Sequence, residues 1–187
     1  MYRSFAVYRA SFFDSGKIPD TTPISERPAG AENRSRYGHW ESDTVLGMRK
    51  TGCFGTHVER KSGYLVAFRI DDRQDNAFNH ATIKAFSSIP EKLKKSFTVD
   101  NGKEFAAHKA LAQATGMKVF FCDPYSPWQR GTNENTNGLL RQFFPKGTSF
   151  ANVSDDDLQR VVDLINNRPR KRLNFLTPFE VLQKFFL

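Results

Sequence analysis

Residues Lys61-Ser62-Gly63 leave the chain little freedom of path. They separate two strand-like runs, CFGTHVER and YLVAFRI, and so short a spacer closes a hairpin. A third run, HWESDTVLG, precedes the pair, and the first half of the molecule is expected to hold three antiparallel strands. The period then changes. In DNAFNHATIKAFSS, Phe78, Ala81, Thr82 and Ala85 recur at helical spacing. SFTVD is a brief strand, DNGKEFAAHKALAQATG a helix closed by Gly116, and KVFFC another strand. With a helix over residues 130–144 the order is βββ, then αβαβα. That order predicts an α/β protein whose mixed five-stranded sheet is flanked by helices.

The stretch RGTNENTNGLLRQFF, residues 130–144, is amphipathic: Thr136, Leu139, Leu140 and Phe143 fall on one side, Glu134, Asn137, Gly138 and Arg141 on the other. Thr132 is the expected N-cap, which places Glu134 in the first turn, where the helix dipole favours a carboxylate. After Pro145, Ser154 opens another helix with Asp155, Asp156 and Asp157 in its first turn. Ser-x-x-Asp at a helix start is a capping box, so these three acids are not read as a metal cluster. Thr177, Pro178 and Glu180 announce the last helix, and RPRKR, residues 168–172, lies between the two. Residues 1–36, rich in Pro, Ser, Thr and charge, read as a linker or N-terminal arm to a core over 37–187.

Charge and cysteine content narrow the partners. The 187 residues suffice for one main domain, and 28 Lys and Arg against 20 Asp and Glu give +8, which favours a polyanion, nucleic acid first. The two cysteines, Cys53 and Cys122, form no CxxC, and the four histidines form no HxxxH pair, so neither a disulfide scaffold nor a zinc site is expected. No apolar run has the length of a membrane span and no signal-peptide pattern opens the chain, which predicts a cytoplasmic protein with no membrane partner.

Three carboxylates stand out. Asp43 lies inside a strand, where aspartate is disfavoured, and needs a salt bridge, an edge position or a functional role. Asp100 ends the strand SFTV; Asn101-Gly102 after it could be a hairpin turn, but KEFAAHKALAQ is helical, which puts Asp100 at a strand's carboxyl end, where α/β sites are built. Glu134 is by itself a solvated glutamate at a helix start. Together the three could converge on hard divalent cations, which take oxygen ligands and serve phosphodiester chemistry in pairs.

The segments GHWESDTVLG, VERKSGY, VDNGKEFAAH, PYSPWQRGTNENTNGLLRQFFPKGT and NNRPRKRLNFLTPFEVL resemble the catalytic core of DDE-type bacterial insertion-sequence transposases of the IS-thirty family, over about residues 37–187. The 33 residues between Asp100 and Glu134 fit that family's spacing. The resemblance implies a ribonuclease-H-like, retroviral-integrase-like fold and a catalytic triad of Asp43, Asp100 and Glu134. By that analogy Asp43 bridges two Mg²⁺ or Mn²⁺ ions while Asp100 and Glu134 each hold one. The ions activate water to nick the element end, and the 3′-hydroxyl so exposed attacks a second phosphodiester. The resemblance also implies DNA as partner, both element ends and target, a homo-oligomer assembled on it, and a bacterial, nucleoid-associated location. Family members carry an N-terminal helix-turn-helix region; residues 1–36 show none, so the chain is expected to be a fragment or a truncated copy.

Around the triad, Asn101 and Gly102 are expected to shape the turn that aims Asp100, and Lys103 to reach a phosphate. Trp128 is either a stacking platform for a displaced base or a buried anchor for its loop. Arg130 and Arg141 flank Glu134 as phosphate contacts, Arg141 alternatively as its ion-pair partner. Arg168, Arg170, Lys171 and Arg172 form a basic knuckle that is either a solvated turn or a phosphate contact. His108 reads as a packing residue. His57 and Glu59 share a strand face, read as the one near Asp43. Two other readings compete: a non-catalytic DNA-binding remnant and a metal-dependent nuclease on the same fold.

Overall fold

Trp40 and Phe97 are fully buried at paired positions of two parallel strands, and the sheet is built outward from them. In this computed structural model residues 18–71 and 76–187 are described. Strands β2 (His39–Leu46), β3 (Cys53–Glu59) and β4 (Leu65–Ile70) form the expected antiparallel meander, with Asp43 opposite Thr56 and Thr56 opposite Ala67. Helix α2 (Ala77–Phe86) then returns the chain to the other side of β2, where β5 (Ser96–Val99) pairs parallel; helix α3 (His108–Thr115) leads to β6 (Lys118–Phe121), parallel to β5. Helical crossovers are what parallel neighbours require. Gly116 caps α3 in the left-handed conformation, φ 69°, its N–H donating to the Ala112 carbonyl.

The sheet has six strands, not the expected five. β1 (Thr22–Pro23) pairs parallel with β6, so the order is β1-β6-β5-β2-β3-β4. Two residues, one of them a proline, carry no alternation that a sequence could display. β1 leads to a short helix, α1 (Ala29–Glu32), and Ile18 is buried in the core. Residues 18–36 of the expected linker or arm are therefore packed on the sheet, whereas its first 17 residues lie outside the described ones, as does Asp75 at the start of the first expected helix.

Two cores lie on opposite faces. Trp40, Phe78, Phe86, Phe97, Phe105 and Leu111 join on the α2/α3 face. Phe54, Val58, Leu140, Phe150, Leu158 and Val162 join on the other, under α4 (Gly131–Phe143) and α5 (Asp155–Asn166). The Ser154 capping box forms as expected, as does that of Thr177 and Glu180 at α6 (Pro178–Gln183). Among the described residues no helix is long and apolar enough to cross a membrane.

Candidate active site

Parallel register brings the two aspartates together. Glu41 of β2 pairs with Thr98 of β5, and Asp43 and Asp100 each lie two residues further on, Asp43 in the middle of β2 and Asp100 just past the carboxyl end of β5. β2 is flanked by β5 and β3, so Asp43 holds an internal and not an edge position. Its salt bridge is real: Arg130 Nη1 lies 3.1 Å from Asp43 Oδ1, and Arg130 Nη2 lies 2.8 Å from Asp100 Oδ2. One guanidinium thus joins both carboxylates, and its Nη1 also donates to the Ser42 carbonyl at 2.9 Å. Burial is the largest single influence on Arg130 and opposes its charge, but the pull of Asp43 and Asp100 together outweighs it, and the pKa is raised.

α4 lies along β2 and carries the third acid. Arg130 at its N-cap reaches Ser42 and Asp43, Asn137 Nδ2 donates to Asp43 Oδ2 at 3.1 Å, and Arg141 Nη2 donates to the Leu46 carbonyl at 2.7 Å. Residues 130, 134, 137 and 141 form one helical stripe, so Glu134 sits between two residues that both touch Asp43. Glu134 is exposed and, among the described residues, has no ion pair; Arg141 binds backbone instead of pairing with it. Among the described residues no group of three His, Cys, Asp or Glu is gathered closely enough to hold a metal ion. The structure joins Asp43 to Asp100 and aims Glu134 along the same stripe without closing the triad.

The donor chemistry nonetheless suits a hard cation. Asp43 and Asp100 already share one positive group, both present carboxylate oxygens, and the buried Asn137 Oδ1 beside them has no hydrogen-bond partner among the described residues.

The start of α4 corrects one expectation and reveals a residue that sequence reasoning missed. A 3₁₀ turn, Pro127–Arg130, runs directly into α4, which begins at Gly131, so Thr132 is inside the helix and its hydroxyl accepts from Arg34 Nη2 at 3.0 Å. The cap is supplied from the sheet: Glu41 Oε2 accepts the Asn133 N–H at 2.7 Å. The other oxygen of this fully buried carboxylate pairs with buried Arg60, whose Nε donates to the Ala31 carbonyl at 2.8 Å. The signal was available, since Glu41 is as unusual inside a strand as Asp43 two residues away.

Asn101 and Gly102 each make a hydrogen bond in the loop after β5. Asn101 Nδ2 donates to the Cys122 carbonyl at 2.9 Å, and the Gly102 N–H donates to Asp100 Oδ1 at 2.8 Å. A Cβ on Gly102 would come within 2.5 Å of Glu104 Oε2 and 2.9 Å of Asp100 Oδ1, so a larger residue would push these two carboxylates aside. Lys103 is exposed and lines, with Thr44, Phe78 and Glu104, a cleft of about 810 Å³.

Trp128 is 72% exposed, which rules out the buried anchor. Within the basic knuckle Arg168, Lys171 and Arg172 are exposed, Arg172 Nη1 donating to the Lys61 carbonyl, and the half-buried Arg170 donates through Nη2 to the Ile165 carbonyl. Lys61 belongs to the β3–β4 turn, at the opposite end of the sheet from Asp100. His57 is not beside Asp43. It bonds Ser42 Oγ at 2.7 Å and Thr82 Oγ1 at 3.0 Å on the α2 face, ringed by Phe68, Phe78, Phe86 and Phe97, because successive strand residues point to opposite faces. Glu59 accepts from the Gly38 and Ser62 backbone and braces turns. His108 packs edge-on against Phe121.

Comparison with known proteins places these features. Residues 33–127 match the integrase core domain family, and a chain of the cryo-EM structure of a simian T-cell lymphotropic virus intasome with PP2A regulatory subunit B56 gamma superposes with TM-score 0.62 at 19% identity, over 78% of this chain and 54% of that one. The fold is thus the ribonuclease-H-like fold of the integrase core, with a sixth strand. The chain is 47% identical over 167 residues to the InsI transposase of insertion element IS30C from Escherichia coli K12, covering 89% of this chain and 43% of that protein. It is 42% identical to the IS1086 transposase of Cupriavidus metallidurans, over 89% of this chain and 49% of that protein, and 39% identical to the IS4351 transposase of Bacteroides fragilis, over 88% and 50%. The chain belongs to the IS30 family of DDE-type transposases. It spans about half the length of these relatives or slightly less. Transposases of this kind generally use divalent metals.

Proposed function

We propose that the chain is the catalytic core of a DNA transposase that hydrolyses a phosphodiester at the element end and transfers the resulting 3′-hydroxyl to target DNA. The observation that carries this is the parallel register that sets Asp43 of β2 beside Asp100 just past the end of β5, the two sharing one cation, with Glu134 on the helical stripe whose Arg130 and Asn137 touch Asp43. Asp43, Asp100 and Glu134 are the residues that would hold Mg²⁺ or Mn²⁺, two ions when loaded. Such ions supply activation of the attacking oxygen and stabilisation of the leaving one. Asn137 orients Asp43, Asn101 and Gly102 hold the Asp100 loop, and Glu41 fixes the first turn of α4, which carries Glu134.

No protein nucleophile is needed. Cys53 and Cys122 are both buried, and burial pushes the Cys122 thiol up to about 11. On this reading the exposed Lys103, Trp128, Arg168 and Lys171 meet DNA directly, while Arg130, Arg141, Arg170 and the exposed Arg172 would have to leave intramolecular partners to do so. The working form is a homo-oligomer on element ends and target DNA.

The test is resolution of a branched oligonucleotide that mimics the strand-transfer product, with and without Mg²⁺ or Mn²⁺. By microscopic reversibility this substrate reports joining chemistry without requiring end recognition. Metal-dependent resolution lost in Asp43→Asn and Glu134→Gln supports the proposal; activity retained in both overturns it. Cleavage without joining identifies a nuclease, and salt-sensitive binding without metal-dependent chemistry identifies a DNA-binding remnant.

A further inference from the structure

We propose that Arg130 is a built-in counter-cation of the candidate metal site: its guanidinium holds the Asp43–Asp100 pair in the metal-free protein, must leave before a divalent ion can be shared by both carboxylates, and thereby weakens metal binding by the isolated core. This inference rests on the assignment of Asp43 and Asp100 as metal-holding residues.

The geometry is that of competition. Arg130 contacts one oxygen of each aspartate, at 3.1 Å and 2.8 Å, and its guanidinium lies between the two side chains that a bridging ion would have to join. A divalent ion of this class needs its oxygens at about 2.1 Å, so the guanidinium cannot remain between carboxylates drawn in to that distance. Nor can Arg130 step aside by losing a proton, because a guanidinium stays charged in proteins. It has to move.

Arg130 is placed to do so. Besides the aspartates it bonds the Ser42 carbonyl, and it ends the same 3₁₀ turn that carries the exposed Trp128. While Arg130 is in place, its single positive charge offsets half of the negative charge of the two acids and lessens the repulsion between them. A purely structural salt bridge would act in the opposite sense. If Arg130 only organised the site, removing it would loosen Asp43 and Asp100 and weaken metal binding.

Calorimetric titration of the metal-stripped chain with MnCl₂ separates the two, with circular dichroism as a fold control. Arg130→Gln is expected to bind Mn²⁺ on the order of tenfold more tightly than wild type. Its metal-free melting temperature should be lower and its Mn²⁺-induced rise larger. The gain should vanish in Arg130→Gln/Asp43→Asn. Arg130→Lys, which keeps the charge but loses the two-pronged contact, should gain about threefold, and it carries the test if the glutamine variant does not fold. If wild type binds Mn²⁺ and neither variant binds it more tightly, the inference fails while the metal assignment stands. If neither wild type nor the variants bind Mn²⁺, the assignment fails and the inference with it.

Discussion

Glu41→Gln should be among the most damaging conservative substitutions in this chain, although Glu41 is not one of the proposed metal-holding acids. The carboxylate is fully buried, one oxygen pairing with Arg60 and the other accepting the Asn133 N–H at 2.7 Å. Glutamine keeps the shape but offers one acceptor where two are used. Removing one partner of a buried ion pair costs about 3–5 kcal/mol, and the low end applies because Arg60 keeps its bonds to the Ala31 and Glu32 carbonyls. Leaving the Asn133 N–H or an Arg60 donor unpaired adds about 1 kcal/mol, for a total near 4 kcal/mol. At about 2–4 °C per kcal/mol for a chain of this size, the melting temperature should fall by roughly 10 °C. Differential scanning fluorimetry measures it, and a double-mutant cycle with Arg60→Met identifies the cause. Because the double variant leaves no lone buried charge, it should be more stable than the two single losses imply, by about 2 kcal/mol. A fall of less than about 3 °C for Glu41→Gln, or losses that simply add, would refute the reasoning.

Three further outcomes follow from the packing. Asn166 accepts from the Leu65 N–H and donates to the Leu65 carbonyl, each at 2.8 Å and buried, so Asn166→Ala should cost about 2–3 kcal/mol and speed amide exchange at Leu65; unchanged exchange there would count against it. Burial lowers the pKa of His57 from 6.5 to about 3, and burial with nearby cations lowers that of His39 to about 4. The unfolded chain takes up these protons first, so stability is complete above pH 6.5 and declines as pH falls toward 4, with His57 contributing a slope approaching 1.4 kcal/mol per pH unit. His57→Gln should flatten that slope in urea titrations across the window; an unchanged slope rejects the assignment. Trp128→Ala should leave the melting temperature nearly unaltered, since the ring is 72% exposed, yet weaken binding to a single-stranded oligonucleotide by about 1–3 kcal/mol in fluorescence anisotropy. Equal affinity would remove the ring from the DNA-contacting set.

Much of the fold could be read locally because its signals are local. Strand alternation, the Lys61-Ser62-Gly63 turn, Gly116 and the two capping boxes each declare themselves within a few residues. Asp43 and Asp100 were legible for a different reason: a charge within a strand and another at its end are costly unless something uses them. What escaped was decided by distant partners. Thr132 looked like a cap, but Glu41, far away in sequence, takes the orphan N–H. Arg130 looked like a free phosphate contact, but parallel register puts two carboxylates within its reach. β1 escaped because two residues have no period.

The place of Arg60 has a consequence for how such a core can be cut and exchanged. Its guanidinium ties the Ala31 and Glu32 carbonyls to Glu41, while Arg27 Nη1 donates to the Thr98 hydroxyl at 3.2 Å. A swap between relatives with its junction at Tyr37, where the recurrent strand pattern begins, would therefore strip partners from β2 and β5 at once. The heritable cassette starts upstream of the pattern that reveals it, and chimaeras joined before Ile18 should tolerate grafting that chimaeras joined at Tyr37 do not.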